Sequence, residues 1–161
     1  MIIVNVWRKF LVLEEVKIST KDPYQFRYIP NVKKDRFEFW VKAKADAHIS
    51  LSNAPILLDP KVVIIIGGWD NTGTEINIWS DDVHYHQSVP DLLNENEYRG
   101  FWIKWNYNGN IAIGKKGDRF PFIAYNNTKP FFPINFIGVT CQKGYDGFWI
   151  INEDLDYKFD E

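Results

Sequence analysis

The chain has 161 residues, enough for one domain with a full hydrophobic core and too short for two comfortable ones. Its formal net charge is −2 and its Lys and Arg residues are scattered singly, so it offers no basic stripe for duplex nucleic acid or an anionic membrane. The single cysteine, Cys141, excludes an internal disulfide and a cysteine-rich zinc site. Aromatic residues make up 17% of the chain, a share that suits β-sheets packed by rings.

The start of the chain is apolar but does not have the pattern of a signal peptide. No positive charge leads it, and Arg8 and Lys9 split its apolar run before any cleavage-like site. No apolar segment approaches the roughly twenty residues that a membrane span needs. We therefore expect a soluble protein without a membrane span. We place it in the cytoplasm and leave open a secreted form whose signal has been removed.

In chain order, segments 2–6, 10–17 and 24–29 predict short strands, the second of them at a sheet edge. Segment 36–52 then shows the clearest alternation in the sequence, with an apolar inward face and a polar outward face. The inward residues are Phe37, Phe39, Val41, Ala43, Ala45, Ile49 and Leu51, and the outward residues are Glu38, Trp40, Lys42, Lys44 and Asp46.

Segment 62–66 is the most apolar and most β-branched run, and we predict that it is a buried strand. It is too short for a free-standing helix, and Gly67-Gly68 ends it. Segment 69–73 then forms a tip, after which Ile76 and Ile78 alternate with polar residues, so the unit is predicted to be an antiparallel hairpin. The paired glycines let another backbone or a ligand approach closely, or relieve a bulge.

The second half of the chain continues the strand pattern. Segments 99–105, 110–114, 120–125, 134–141 and 147–152 are predicted strands, and Asn108-Gly109 favours a hairpin turn between the first two. Segment 80–90 is polar, and segment 90–97 is too short for more than one helical turn. The acidic residues from 152 to 161 predict a solvated tail or an edge.

No segment keeps a 3.6-residue period, so the fold class is predicted to be all-β. About ten short strands with turns every eight to twelve residues indicate an antiparallel, jelly-roll-like β-sandwich, because two amphipathic sheets must each bury one face. A barrel is the alternative. We expect one domain over residues 1–161.

A set of short motifs occurs in one order along the chain. The motifs are Phe39-x-Val41-x-Ala43-x-x-Asp46-Ala47-His48-Ile49-x-Leu51-Ser52, Ile64-x-Ile66-Gly67-Gly68-Trp69-x-Asn71-Thr72, Glu97-Tyr98-Arg99-x-Phe101-Trp102-Ile103-x-Trp105, Gly109-x-Ile111-x-Ile113-Gly114, Pro121-Phe122, and Gly138-Val139-Thr140 with Gly147-x-Trp149. Together they resemble the domain named after farnesoic acid O-methyltransferase, found in arthropod and other invertebrate proteins. The resemblance covers about residues 24–149. Asp70 stands where this family usually has Gly, and Asn77 where an Arg commonly follows the tip.

The family name suggests a methyltransferase, but the residues argue against that activity. S-adenosylmethionine enzymes of the common type are doubly wound α/β domains with a glycine-rich turn between a strand and a helix. Here Gly67-Gly68 lies in a predicted β-hairpin with no helix behind it. Domains that resemble this one occur beside recognition and sugar-binding modules, so the resemblance implies a binding module with no cofactor and no catalytic residues.

Carbohydrate binding is the function that the residue types favour. A lectin site needs an aromatic platform for the apolar face of a pyranose and nearby polar groups that bond its hydroxyls. Two places offer this combination: the tip and the outward face of the strands at 36–46 and 99–105. The predicted ligand-binding residues are Trp69, Asp70, Asn71 and Thr72 at the tip, and Trp40, Trp102 and Arg99 on the outward face, which also carries Lys42 and Lys104.

Metal binding and catalysis have weaker signals. Asp82, His84 and His86 share one strand face, but a tetrahedral ion would need a fourth ligand from elsewhere. No acidic loop of the density that calcium requires is present. Asp46 and His48 predict an ordinary hydrogen-bonded pair, and Cys141 predicts a core residue.

We therefore predict a lectin-like module that binds a neutral glycan and assembles into a homo-oligomer through sheet edges or an aromatic face, so that several sites act together. A protein-interaction or oligomerisation module is the first alternative. A farnesoic acid O-methyltransferase-type enzyme is the second, and it would require a deep apolar cavity between the sheets.

Overall fold

The computed structural model describes residues 14–20, 24–31, 35–56, 61–142 and 144–153. In these residues the chain forms twelve strands, one helical turn and one short 3-10 helix. The predicted strand at 2–6 and the acidic residues 154–161 lie outside them. The elements are β1 (Glu14–Thr20), β2 (Arg27–Pro30), β3 (Arg36–Ala43), β4 (Ala47–Ser52), β5 (Lys61–Gly67), α1 (Gly68–Asn71), β6 (Gly73–Ile78), the 3-10 helix (Trp79–Asp81), β7 (Val83–Ser88), β8 (Arg99–Trp105), β9 (Asn110–Lys115), β10 (Ile123–Asn126), β11 (Phe136–Cys141) and β12 (Gly147–Glu153).

The strands form two six-stranded sheets, and every pairing within them is antiparallel. Sheet A has the order β1-β12-β3-β8-β9-β10, and sheet B has the order β2-β11-β4-β5-β6-β7. The prediction of an all-β antiparallel sandwich is confirmed, and the barrel alternative is wrong because each sheet keeps its own edge strands. As predicted, β1 is an edge strand.

The inward side chains of both sheets form one core. Ile49, Ile64 and Ile76 come from sheet B, and Phe39 and Trp149 come from sheet A; all five are fully buried. The ring centroids of Phe39 and Trp149 are 5.4 Å apart. Each such side chain contributes about 1.5–3 kcal/mol when it leaves water, so this core holds the two sheets together.

The alternation predicted for 36–52 is present, but it belongs to two strands. β3 lies in sheet A and β4 in sheet B, and the chain crosses between the sheets at 44–46, where Asp46 has a φ of 55°. In both strands the odd-numbered residues point into the core, so the alternation in the sequence continues across the crossing without a break. This crossing adds one strand, and β7 adds another, because we described segment 80–90 as polar and did not count it among the roughly ten strands. The total is therefore twelve.

The segment between β7 and β8 packs against the tip of the β5–β6 hairpin. Leu92 and Leu93 are each 1% exposed, and the N–H of Ala43 donates to the carbonyl oxygen of Asn94 (3.1 Å). The helical turn that this segment could form is absent from it. Among the described residues, no helix combines the length and apolarity needed to cross a membrane.

Candidate functional site

The tip of the β5–β6 hairpin has an unusual backbone. Gly67, Trp69, Asp70 and Asn71 have φ values of 66°, 52°, 60° and 62°, all in the left-handed region. This conformation costs a residue with a Cβ atom roughly 1–2 kcal/mol, whereas glycine adopts it without this cost. Three successive non-glycine residues in this state must be held there by their surroundings, and strain of this kind points to a functional site.

Hydrogen bonds from two of the predicted ligand-binding residues hold the tip in place. The amide nitrogen of Asn71 donates to the carbonyl oxygen of Leu93 (2.8 Å), and its amide oxygen accepts the N–H of Leu93 (3.0 Å). The hydroxyl of Thr72 donates to the carbonyl oxygen of Trp69 (2.7 Å). The side chains of Asn71 and Thr72 therefore have internal hydrogen-bond partners. The exposed members of the predicted tip set are Trp69, Asp70 and Thr72.

Trp69 stands at one end of an open strip on the outer face of sheet B. Trp69 is 51% exposed, and its ring contacts the ring of His86 edge to face, with the ring centroids 4.5 Å apart. At the other end Trp79 follows β6 and is 46% exposed. We call the side chains from Trp69 to Trp79 the indole strip; its members are Trp69, Glu75, Asn77, Trp79, His84 and His86.

Register places the polar members of the indole strip side by side. Glu75 on β6 pairs with His86 on β7, and Asn77 pairs with His84. At about 3.4 Å per residue, the four steps from Glu75 to Trp79 span roughly 14 Å along the chain.

Carboxyl groups lie in and beside the indole strip. The Nδ1 atom of His84 is 3.2 Å from Oε1 of Glu75, and its Nε2 atom is 3.7 Å from Oδ1 of Asp82. Burial, and then the negative charge of Asp70, raise the pKa of the Asp46 carboxyl beside the tip. These carboxylates would repel an anionic ligand.

The predicted metal set does not come together as a cluster. His84 contacts Glu75 and Asp82, whereas His86 packs against the Trp69 ring. In the described part of the chain, no group of three or more metal-binding side chains lies together.

The second predicted site lies on the outer face of sheet A, where its rings are covered. Trp102 is 9% exposed, its indole N–H donates to the carbonyl oxygen of Asp118 (3.0 Å), and a Cβ at Gly114 would lie 2.2 Å from its ring. The Nζ atom of Lys116 lies 4.3 Å from the centroid of the Trp40 ring. These rings therefore pack against their own sheet and its loops.

Arg99 does not lie beside Trp40 and Trp102, contrary to our prediction. It pairs with Val41, which is buried in the core, whereas Trp40 pairs with Gly100, so Arg99 has the opposite parity at the start of β8. Its guanidinium group forms an ion pair with Glu97 (2.6 Å). The outward set on sheet A keeps Lys42, whose Nζ atom lies 5.2 Å from the Phe148 ring centroid.

The half of sheet B away from the indole strip is covered by aromatic residues that precede and enter β2. The hydroxyl of Tyr24 is 2.9 Å from Nδ1 of His48, and burial lowers the pKa of His48 to about 4. Burial, with a smaller effect of Tyr28, raises the pKa of Tyr24 to about 12. The predicted pair of Asp46 and His48 is wrong, because Tyr24 is the hydrogen-bond partner of His48. Cys141 is buried as predicted.

A sequence profile described as farnesoic acid O-methyl transferase matches residues 20–155. The chain belongs to the farnesoic acid O-methyltransferase family. No curated protein matches the sequence. In this family member the described sheets are antiparallel and stacked, unlike the doubly wound sheet of common S-adenosylmethionine enzymes.

Solved structures with this family member's fold include both lectins and glycosidases. Galectin LEC-6 of Caenorhabditis elegans is 15% identical with a TM-score of 0.56, over 84% of this chain and 95% of that one. The β-glucanase of Bacillus licheniformis is 16% identical with a TM-score of 0.55, over 86% and 78%. The exoplasmic/lumenal domain of VIP36, in a Ca²⁺/Man3GlcNAc-bound form, is 9% identical with a TM-score of 0.50, over 91% and 84%. At these identities the likeness shows the fold alone.

Sequence reasoning placed Trp69 in a ligand site and considered His84 and His86 only for a metal. It did not assign Glu75, Asn77 or Trp79 to a site. Trp79 has the same parity as Glu75 and Asn77, and it directly follows a strand whose other face carries Ile76 and Ile78. That parity was the available signal. The pairing of β6 with β7, which adds His84 and His86, required the structure.

Proposed function

We propose that this protein is a non-enzymatic, lectin-like module that binds a neutral glycan along the indole strip. The observation that carries the proposal is the pair of half-exposed tryptophans, Trp69 and Trp79, with hydrogen-bonding side chains between them. Galectins and the VIP36 domain have the same fold, which supports a carbohydrate ligand by analogy only.

The two indoles would supply the platforms for the apolar faces of sugar rings. An exposed indole offers a large, rigid apolar surface that pays little conformational entropy when a ligand covers it. Trp69 is further fixed by its edge-to-face contact with His86 and by the tip beneath it. The strained left-handed turn thus presents this ring in one orientation, which reduces the entropy cost of binding.

The side chains between the indoles would select the hydroxyls. The amide of Asn77 makes no hydrogen bond to any described residue, so it can both donate and accept. Glu75 is 9% exposed and holds His84, which leaves the second imidazole nitrogen of His84 near Asp82 at the surface. Such a set fixes the directions of hydrogen bonds and hence the identity of the sugar.

The charges favour a neutral ligand. Glu75 lies in the indole strip, and Asp70 and Asp82 lie beside its members. The neighbouring Lys61 is fully buried, with its Nζ atom 5.4 Å from the Trp79 ring centroid and 2.9 Å from the carbonyl oxygen of Ile56. Sialylated or sulfated glycans would meet repulsion from the carboxylates.

A glycan array that includes neutral, sialylated and sulfated glycans tests the proposal. We expect binding to neutral glycans, and calorimetry with the best ligand should show a roughly tenfold weaker Kd for Trp69→Ala and for Trp79→Ala. Phe120→Ala is the matched control, because Phe120 is 77% exposed and lies on the loop between β9 and β10 of the other sheet. Correctly folded protein that binds no glycan would exclude the proposal.

The family description supplies the competing hypothesis of methyl transfer. In the described residues the only helical elements are α1, whose residues Trp69 to Asn71 have left-handed backbone angles, and the three-residue 3-10 helix. No right-handed α-helix follows a strand there to receive this cofactor. Calorimetric titration with S-adenosylmethionine separates the two hypotheses. Saturable binding of the cofactor would favour an enzyme.

Assembly into a homo-oligomer stays part of our proposal, since several weak sites would then act together.

A further inference from the structure

A crevice of about 260 Å³ lies at the end of the sandwich opposite the β5–β6 tip. Its sides come from the β8–β9 hairpin loop, from segment 131–135 before β11, and from Asn31 after β2. Trp105 and Phe131, which are 7% and 5% exposed, connect it to the core. Nothing in the glycan proposal uses this crevice.

Backbone hydrogen bonds fix its walls to one another. The N–H of Phe131 donates to the carbonyl oxygen of Tyr107 (3.0 Å), and the N–H of Asn31 donates to the carbonyl oxygen of Asn135 (2.8 Å). The N–H of Asn135 in turn donates to the carbonyl oxygen of Ser52 (2.9 Å). The crevice is therefore a formed feature whose shape a ligand need not create.

The lining has an apolar body and an uncharged polar rim. Phe132, Pro133 and Ile134 line it with the core residues, and the polar side chains among its described lining residues are amides and a phenol, with no charged group. Trp105 is more than nine-tenths buried, yet its indole N–H donates to no acceptor in the described part of the chain. This nitrogen is not among the fully buried atoms without a partner, so it reaches solvent, and a ligand acceptor would take the place of water there.

We propose that this crevice binds a small, uncharged ring compound that carries a hydrogen-bond acceptor, of the class of cyclic ketones and alcohols. The volume fits one substituted six-membered ring, since a cavity of about 150 Å³ already holds benzene. A hexose suits it less well, because most of its hydroxyls would face apolar walls without partners. A charged ring would lose its hydration with no counter-charge in return.

Titration of the ¹⁵N-labelled full chain with cyclohexanone tests this site by NMR. The Trp105 indole resonance, assigned from Trp105→Phe, should shift saturably with a Kd in the millimolar range, and intermolecular NOEs should join the ligand to Trp105. Ile134→Trp should fill the crevice and abolish the shift, whereas Trp69→Ala should leave it unchanged. The NOEs need no variant, so the test stands even if Ile134→Trp fails to fold.

Three results would overturn the proposal: no saturable shift at Trp105, the same shift in folded Ile134→Trp, or glucose acting in place of cyclohexanone. None of them bears on the indole strip, because that site is tested with glycans and with variants at Trp69 and Trp79. Conversely, a protein that binds no glycan can still bind cyclohexanone at Trp105. The two proposals therefore fail independently.

Discussion

The outer faces of the two sheets each carry two tryptophans, and the two pairs differ in what lies on their rings. On sheet A, Trp102 sits under the loop at Asp118 and Trp40 sits under Lys116. On sheet B, Trp69 and Trp79 are about half exposed and have hydrogen-bonding side chains between them. An indole on the polar side of a strand therefore does not by itself mark a binding site. The neighbouring side chains and loops decide whether it stabilises the fold or remains open to a ligand.

The largest expected effect is on the stability of sheet A. Trp102→Ala should lower the free energy of unfolding by about 3–5 kcal/mol, because it removes a buried ring and leaves a cavity against Gly114. Trp79→Ala, its counterpart on sheet B, should cost less than about 1 kcal/mol, since the ring is already half in water. Urea unfolding followed by circular dichroism measures both. Equal losses would remove the distinction between covered and open tryptophans.

The next effect separates the covered half of sheet B from its open half. The pKa of His48 is about 4 in the folded chain because of burial, whereas the unfolded chain takes up this proton near pH 6.5. As the pH falls from 6.5 towards 4 only the unfolded state gains the proton, so the free energy of unfolding should fall by on the order of 3 kcal/mol.

Urea unfolding at several pH values measures this loss. His48→Gln keeps a polar side chain that cannot titrate, so its stability should fall less steeply over the same range. If the variant and the parent chain lose stability in parallel between pH 6.5 and 4, the acid sensitivity belongs to other groups and the buried position of His48 is not its cause.

The β-sandwich could be predicted because alternation is a local signal. In β3 and β6 every second residue is apolar, and a half-buried strand needs nothing more. The strand β7 was missing from the strand count, although Asp82, His84 and His86 were placed on one strand face, because its residues are polar or exposed on both faces, as an edge strand allows. The crossing between the sheets at Asp46 was not predicted, because the odd-numbered residues point inward in both β3 and β4.

The candidate site could be predicted only in part, because contacts between distant residues decide it. The position of Trp69 after two glycines at a tip is a local feature, and the sequence contains it. The outward direction of Trp40 and Trp102 is also local, but the residues that cover them, Lys116 and Asp118, are distant in the chain. The same holds for His84, which reaches Glu75 only through the register of β6 and β7.

The smallest expected effect concerns two buried hydroxyls on β4. Ser50 and Ser52 are fully buried, and their hydroxyls have no partner among the residues that the structure describes. Ser50→Ala and Ser52→Ala should therefore leave the free energy of unfolding unchanged or raise it, because an unpaired buried hydroxyl contributes no bond that could be lost and its burial is unfavourable. Thr74→Val is the matched comparison on β6: the hydroxyl of Thr74 donates to the carbonyl oxygen of Ile65 (2.6 Å), so its loss should cost about 1 kcal/mol. If either serine variant costs as much as Thr74→Val in urea unfolding, its hydroxyl has a bonded partner such as an ordered water, and the covered half of sheet B is wetter than its packing indicates.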